Sequence, residues 1–322
     1  MISAPLFAVY INPLINKLQQ CKQGCFLGNI CTNAFAYADD IVLLTPSCTA
    51  LRSLIKICET YADSYKLKFN PDKCTLMIYS DKNVDFYQEN CKISLCGRIA
   101  KNVKSEKHLG HLLTSNSNTH LIDIDSIIRD IKVRTNIIVT NFRHISWQSK
   151  VKIFLSQCSS LYGSSLWKLD DQQIDIIIKT WNKCCRRILG LPPNTRTYVL
   201  HHIMDTMPIK YVIMSRILNF FMSGLSHKCE IISLLFKNVL ISNSSYMLQN
   251  INMILNELNI KYCDLFIMDK SKLKSIISKR VGEPDWRSDS IKELLSLREN
   301  QTSCDLTRTE IESILDFVST ER

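Results

Sequence analysis

The stretch FAYADDIVLL, Phe35 to Leu44, places two adjacent carboxylates, Asp39 and Asp40, inside an apolar, β-favouring run. A carboxylate is rarely buried without a partner, because stripping water from a charge is costly. A packed strand cannot simply carry two of them side by side. A tight turn resolves the conflict: the flanking residues stay in strands while the tip lifts the charges into solvent, and aspartate tolerates turn geometry. The chain is therefore expected to build two strands meeting at a turn around Ala38 to Asp40.

The surrounding periodicity extends this picture. Leu6, Val9, Tyr10, Leu14 and Leu18 recur at helical spacing, interrupted by Pro13. Between Ser47 and Tyr65 the apolar residues Leu51, Leu54, Ile55, Cys58 and Tyr61 recur every three or four positions, with Ser47 or Thr49 as the N-cap. A strand, an Asn70-Pro71-Asp72 turn and a second strand over Cys74 to Tyr79 should follow, then a hairpin near Cys91 and a strand ending around Leu109, Gly110 and Leu112. Beyond about Leu113 the pattern is helical. One long helix is predicted through Ile124, Ile131 and Phe142, another over Val151 to Trp167, and a third over Ile174 to Leu189, stopped by Gly190 and Pro192. Helices continue afterwards, and a charged tail begins near Ser288. Strands and helices first, helices alone later: the fold class is α+β.

With 322 residues, 46% of them hydrophobic, the chain can bury more than one core. Its net charge of +10 is concentrated: Arg129 to Arg216 hold fourteen Lys/Arg against five Asp/Glu, a local excess of nine. Such an excess favours a polyanion, nucleic acid or an acidic membrane surface. No apolar run reaches the roughly eighteen residues of a membrane-spanning helix, so no membrane partner is expected. The fourteen cysteines are scattered. Cys21 with Cys25, and Cys91 with Cys96, form loose pairs without a zinc-knuckle pattern, so buried or free thiols in an intracellular, reduced setting are expected. Nothing marks a nuclear address. His201 and His202 are neighbours and point apart on a helix, which argues against a shared metal.

Paired aspartates at a hairpin tip suit a hard cation such as Mg²⁺, which takes one or two carboxylates together with substrate phosphates. In two-metal phosphoryl chemistry the ions lie about 3.5–4 Å apart and draw carboxylates from more than one segment. An Asp-Asp turn alone is common on protein surfaces. Its neighbours add weight: SAPLFAVYIN, FAYADDIVLL, LKFNPDKC and HLGHLL, in this order, resemble successive motifs of the reverse transcriptase palm in non-LTR (LINE-type) retrotransposons. The first carries Ser3, Pro5, Leu6, Phe7 and Tyr10, with Ala4 interrupting the usual contiguous Ser-Pro.

The resemblance covers roughly Ser3 to Met207 and implies an RNA-directed DNA polymerase that uses Mg²⁺, deoxynucleotides, an RNA template and a DNA primer. It implies that Asp39 and, more weakly, Asp40 ligate metal, and that Tyr37 and Ala38 lie by the primer end or incoming nucleotide. Lys73, in the third motif with Asn70, would assist departure of pyrophosphate as a general acid or electrostatic clamp. Leu109 and Gly110 would belong to the primer-grip hairpin. Arg134, Arg143, Lys150, Lys152, Lys183, Arg186 and Arg187 would contact backbone phosphates. Trp147, Trp167 and Trp181 either stack on bases or fill the core. The family supplies a further metal-binding aspartate from a strand upstream of the first motif. No other aspartate here stands in a matching motif, so the carboxy-terminal half of such an enzyme is expected, either a truncated copy or an incompletely read gene, and inactive alone. The implied organisation is the carboxy-terminal half of a palm over residues 1–115, a basic helical thumb over 116–200 and a helical region over 201–322. Two other readings fit the same residues: a non-catalytic nucleic-acid-binding remnant, and the product of a decayed insertion without function.

Overall fold

The computed structural model of the chain describes residues 3–80, 91–115, 119–170, 172–241, 245–266 and 270–281. The charged tail expected from Ser288 lies outside them. The molecule divides into two compact units, one of residues 1–119 with 227–238 and the other of residues 120–226 with 239–322.

The first unit is α+β, as its sequence predicts. Helix α1 spans Ser3–Gln20 and contains Pro13, whose ring nitrogen has no proton to give Val9 O. Helix α2 spans Cys48–Tyr65. Ser47 caps it, its Oγ accepting the Ala50 N–H at 3.2 Å, and Lys66 closes it with a positive φ of 54°. The two helices are tied by tyrosines. The Tyr10 hydroxyl donates to Tyr65 O and the Tyr61 hydroxyl to Tyr10 O, each at 2.5 Å. Ile11, Leu14 and Leu18 of α1 meet Leu54, Cys58 and Tyr61 of α2 in one core. Each such aliphatic side chain contributes about 1.5–3 kcal/mol by leaving water.

Among the described residues the strands form five two-stranded ladders: β1 (Cys25–Leu27) with β2 (Ile30–Thr32), β3 (Ala34–Tyr37) with β4 (Asp40–Leu43), β5 (Thr75–Leu76) parallel to β8 (Lys101–Asn102), β6 (Ser94–Leu95) with β7 (Arg98–Ile99), and β9 (Ser105–His108) with β10 (His111–Thr114). The long strand expected over Cys74 to Tyr79 is only β5, and residues 66–70 are not a strand. A second core, Ile55, Cys91, Ile93 and Leu95, lies beneath α2. Leu43 and Phe69 pack against both cores. Cys91, expected as a thiol, is joined to Cys48 by a disulfide. Both residues belong to this second cluster, a proximity that their separation of 43 positions conceals.

The second unit is helical: α3 (Thr119–Asn141), α4 (Trp147–Cys158), α5 (Gln172–Leu189), α6 (Thr197–Ile203), α7 (Ile209–Leu225), α9 (Tyr246–Leu258) and α10 (Lys270–Val281); α8 (Glu230–Ile241) begins in the first unit. Helix α5 packs against α4, α6 and α7, and α7 against α9 and α10. Phe154 and Trp181 meet at 4.8 Å between ring centres. Trp147, Trp167 and Trp181 are all buried, so they fill the core. The Arg216 guanidinium donates to Ser159 O, Ser160 O and Leu161 O past the end of α4, where the helix dipole is negative. Asn250 spans a break in regular structure, donating to Trp167 O at 2.7 Å and accepting from Leu169 N at 2.9 Å. Among the described residues no single helix is long and apolar enough to cross a membrane.

Candidate functional site

The hairpin of β3 and β4 pairs Ala34 with Leu43, Phe35 with Val42, Ala36 with Ile41 and Tyr37 with Asp40. Ala38 and Asp39 make the turn, with Ala38 at a positive φ of 51°. Side chains alternate across a strand, and paired residues share a face. Ala34, Ile41 and Leu43 therefore turn toward the core on α1, where they pack. Phe35, Tyr37, Asp40 and Val42 share the other face. Tyr37 is 67% exposed, and both aspartates lie in solvent with no hydrogen bond or ion pair to their carboxylates among the described residues. The turn thus does what the sequence demands of it: the charges are kept out of the core while the apolar alternation is buried on one side.

Asn33 and Gly24 hold the hairpin against α1. Asn33 is fully buried, and its Nδ2 donates to Leu18 O at 2.5 Å and to Gln23 O at 3.1 Å, satisfying carbonyls at the end of α1. Its own carbonyl accepts the Leu44 N–H at 2.8 Å, continuing the ladder beyond β4. A methyl group on Gly24 would lie 2.2 Å from Asn33 Cβ. Neither residue stands out in the sequence; the only signal is a polar residue immediately before an apolar strand.

Lys73 ends a 3-10 turn, Pro71–Lys73, capped by Asn70 Oδ1 accepting the Asp72 N–H at 3.0 Å. Asp72 is engaged by Arg98 through both carboxylate oxygens, at 2.6 and 2.8 Å. The Lys73 ammonium is exposed and makes no ion pair among the described residues. Leu109 and Gly110, expected at the end of a strand, are instead the two turn residues between β9 and β10, both at positive φ, 48° and 84°. That is the type I′ pattern whose twist suits a hairpin.

The basic residues of the second unit separate into two groups. Arg143, Lys152, Lys183 and Arg187 are exposed. Lys150 is only 5% exposed, because its position on α4 turns inward with Trp147, Val151 and Phe154. The Arg134 guanidinium donates to Gln157 O, and Arg186 donates to Thr195 O through Nε at 2.9 Å and Nη2 at 2.7 Å. These two fasten helices to neighbouring backbone, a role that the sequence does not separate from surface charge.

Asp39 and Asp40 offer oxygen donors of the kind a hard divalent cation takes. Among the described residues, however, no group of three or more His, Cys, Asp or Glu comes together to hold a metal ion. The donors match such an ion in kind and fall short in number, so the described residues do not complete a two-metal centre.

The hairpin, the capped Lys73 turn and the β9–β10 hairpin all fall within one contiguous region. Residues 1–113 match the family model for reverse transcriptase (RNA-dependent DNA polymerase). The match covers about a third of the chain and likens that region to reverse transcriptases in general, a class that uses divalent metal and binds an RNA template and a DNA primer. It ends inside β10, one residue short of its last position. No curated protein and no solved structure matches the chain.

Proposed function

We propose that residues 1–115 of this chain are the carboxy-terminal part of a non-LTR (LINE-type) reverse transcriptase palm, that residues 116–200 act as its basic thumb, and that a helical region follows over 201–322. The observation that carries this reading is the acidic hairpin tip: two solvent-facing carboxylates beside an exposed tyrosine, within the region matched to the reverse transcriptase family. Asp39 is the proposed Mg²⁺ ligand and Asp40 a weaker contributor. Tyr37 and Ala38 face the primer end or incoming nucleotide, and Leu109 with Gly110 supports the primer. The exposed ammonium of Lys73 stabilises the departing phosphates by charge or by giving them a proton. Arg143, Lys152, Lys183 and Arg187 hold backbone phosphates. The protein acts inside the cell, in nucleus or cytoplasm.

Two carboxylates alone do not make a two-metal centre, so the chain by itself is expected to hold nucleic acid without copying it. The same shortage of donors favours a second reading, a nucleic-acid-binding protein whose acidic hairpin is only scaffold. Ferrous iron in place of Mg²⁺ separates them, because iron bound at the tip generates radicals that cut the adjacent backbone under peroxide. Cleavage between Tyr37 and Ile41, suppressed by Mg²⁺ and lost in Asp39→Asn, is expected for the polymerase reading. Uncut protein would leave only the scaffold. Primer extension on an RNA template completes the comparison: extension that disappears in Asp39→Asn would show that a third ligand lies within this chain, and would overturn the proposed inactivity.

A further inference from the structure

Helices α3 and α5 of the second unit bring together cations that lie far apart in the sequence. On α5, Lys179, Lys183 and Arg187 recur every four residues, so their positions rise by about 6 Å at each step along one face; all three are exposed. On α3, Lys132 stands one turn before Asn136, also exposed. Arg187 Nη1 donates to Asn136 Oδ1 at 2.6 Å, which joins the two faces and places Lys132 beside the α5 row. Beneath them lies the buried Cys184 thiol, whose pKa is raised by burial and lowered in turn by Thr135, Arg187, Lys132 and Lys183. All three cations therefore act on one point. Neither Lys132 nor Lys183 makes an ion pair among the described residues.

We propose that Lys132, Lys183 and Arg187 form a single phosphate-gripping cluster, that Asn136 is its positioning residue, and that its ligand is the sugar–phosphate backbone of a nucleic acid. Asn136 leaves the guanidinium charge intact and fixes its direction, so Arg187 gives up little side-chain freedom on meeting a phosphate. An acidic bilayer fits less well. Helices that settle on membranes insert a continuous apolar face; here Ile131 and Ile138 on α3 and Ile177, Cys185 and Ile188 on α5 are buried, and the large apolar residues left exposed, Val133 and Ile137 on α3 and Ile176 on α5, are too few to make such a face. The inference rests on the reverse transcriptase reading only in its choice of nucleic acid among polyanions.

The test is binding of the full chain to a labelled single-stranded RNA across a salt series. Each of Lys132→Ala, Lys183→Ala and Arg187→Ala should lower the salt slope by about 0.7, and the triple variant by about 2. Asn136→Ala, which removes no charge, should weaken binding several-fold and leave the slope unchanged. Asn136→Asp should lower the slope by about 0.7 as well, by pairing with Arg187. Lys261→Ala, elsewhere on the second unit, should change neither. An unchanged slope in a folded triple variant that still binds RNA would overturn the cluster while leaving the polymerase reading intact. Failure of the intact chain to bind RNA, or equal loss of binding to phosphatidylserine vesicles, would overturn the choice of partner. Iron cleavage at the acidic hairpin bears on the polymerase reading separately.

Discussion

Ala38 takes a φ of +51° at a position where glycine would be free of strain. A non-glycine residue held there costs on the order of 1–3 kcal/mol, and replacement by glycine recovers much of it while adding about 0.4–1 kcal/mol of unfolded-chain entropy. Ala38→Gly is therefore expected to stabilise the first unit by about 1 kcal/mol, read as a higher urea midpoint at unchanged slope. An equal or lower midpoint would mean that the turn carries no such strain. His201 makes the opposite kind of prediction. Burial pushes its imidazole from the usual 6.5 down to about 4. Above pH 6.5 the ring is neutral in both folded and unfolded chains and the group is without effect. Below it the unfolded chain takes up a proton that the folded chain refuses, so stability falls as pH drops from 6.5 to about 4. The full loss is about 3 kcal/mol, and His201→Leu should remove that slope from the pH dependence of the urea midpoint. Parallel pH profiles for the two proteins would refute the assignment.

At the scale of elements, the disulfide between Cys48 and Cys91 is the strongest local constraint. By the chain-entropy argument, a loop of this length stabilises the fold by about 4 kcal/mol. Dithiothreitol and the Cys48→Ser/Cys91→Ser variant should both lower the melting temperature of the first unit, and to the same extent. If reductant had no further effect on the double variant but the intact protein also failed to respond, the bond would not form in solution. Much else at this scale was legible. Helix α2 was readable to within a choice of two caps, Ser47 or Thr49, because a three-four apolar spacing and a capping hydroxyl are both local signals; the structure places the cap at Ser47. The acidic hairpin was readable because burying two carboxylates has so few alternatives. The helix expected over Val151 to Trp167 ends instead at Cys158, and the chain then passes through positive φ at Leu161 and Gly163. Trp167 is buried all the same, so it mimicked the helical period without belonging to it. Two-residue strands such as β5 and β8 carry no period at all, and their parallel pairing depends on residues far apart in the chain. Part of the candidate site was hidden for the same reason: the link from Arg187 to Asn136 spans 51 positions, and nothing in either helix alone announces it.

For the molecule as a whole, two compact units imply two cooperative transitions. Calorimetry is expected to show that reductant moves one of them, since the disulfide lies in the first unit, and that acidification moves the other, since His201 lies in the second. A single transition that responds to both treatments would show that the units unfold together. The path of the chain adds a genetic consequence. It leaves the first unit after residue 119, returns for residues 227–238 and leaves again. A reading frame interrupted anywhere before residue 238 therefore damages both units at once, the second by losing its last helices and the first by losing a piece encoded more than a hundred codons downstream of the rest. Selection for the acidic hairpin alone would thus preserve the frame across the basic helices as well.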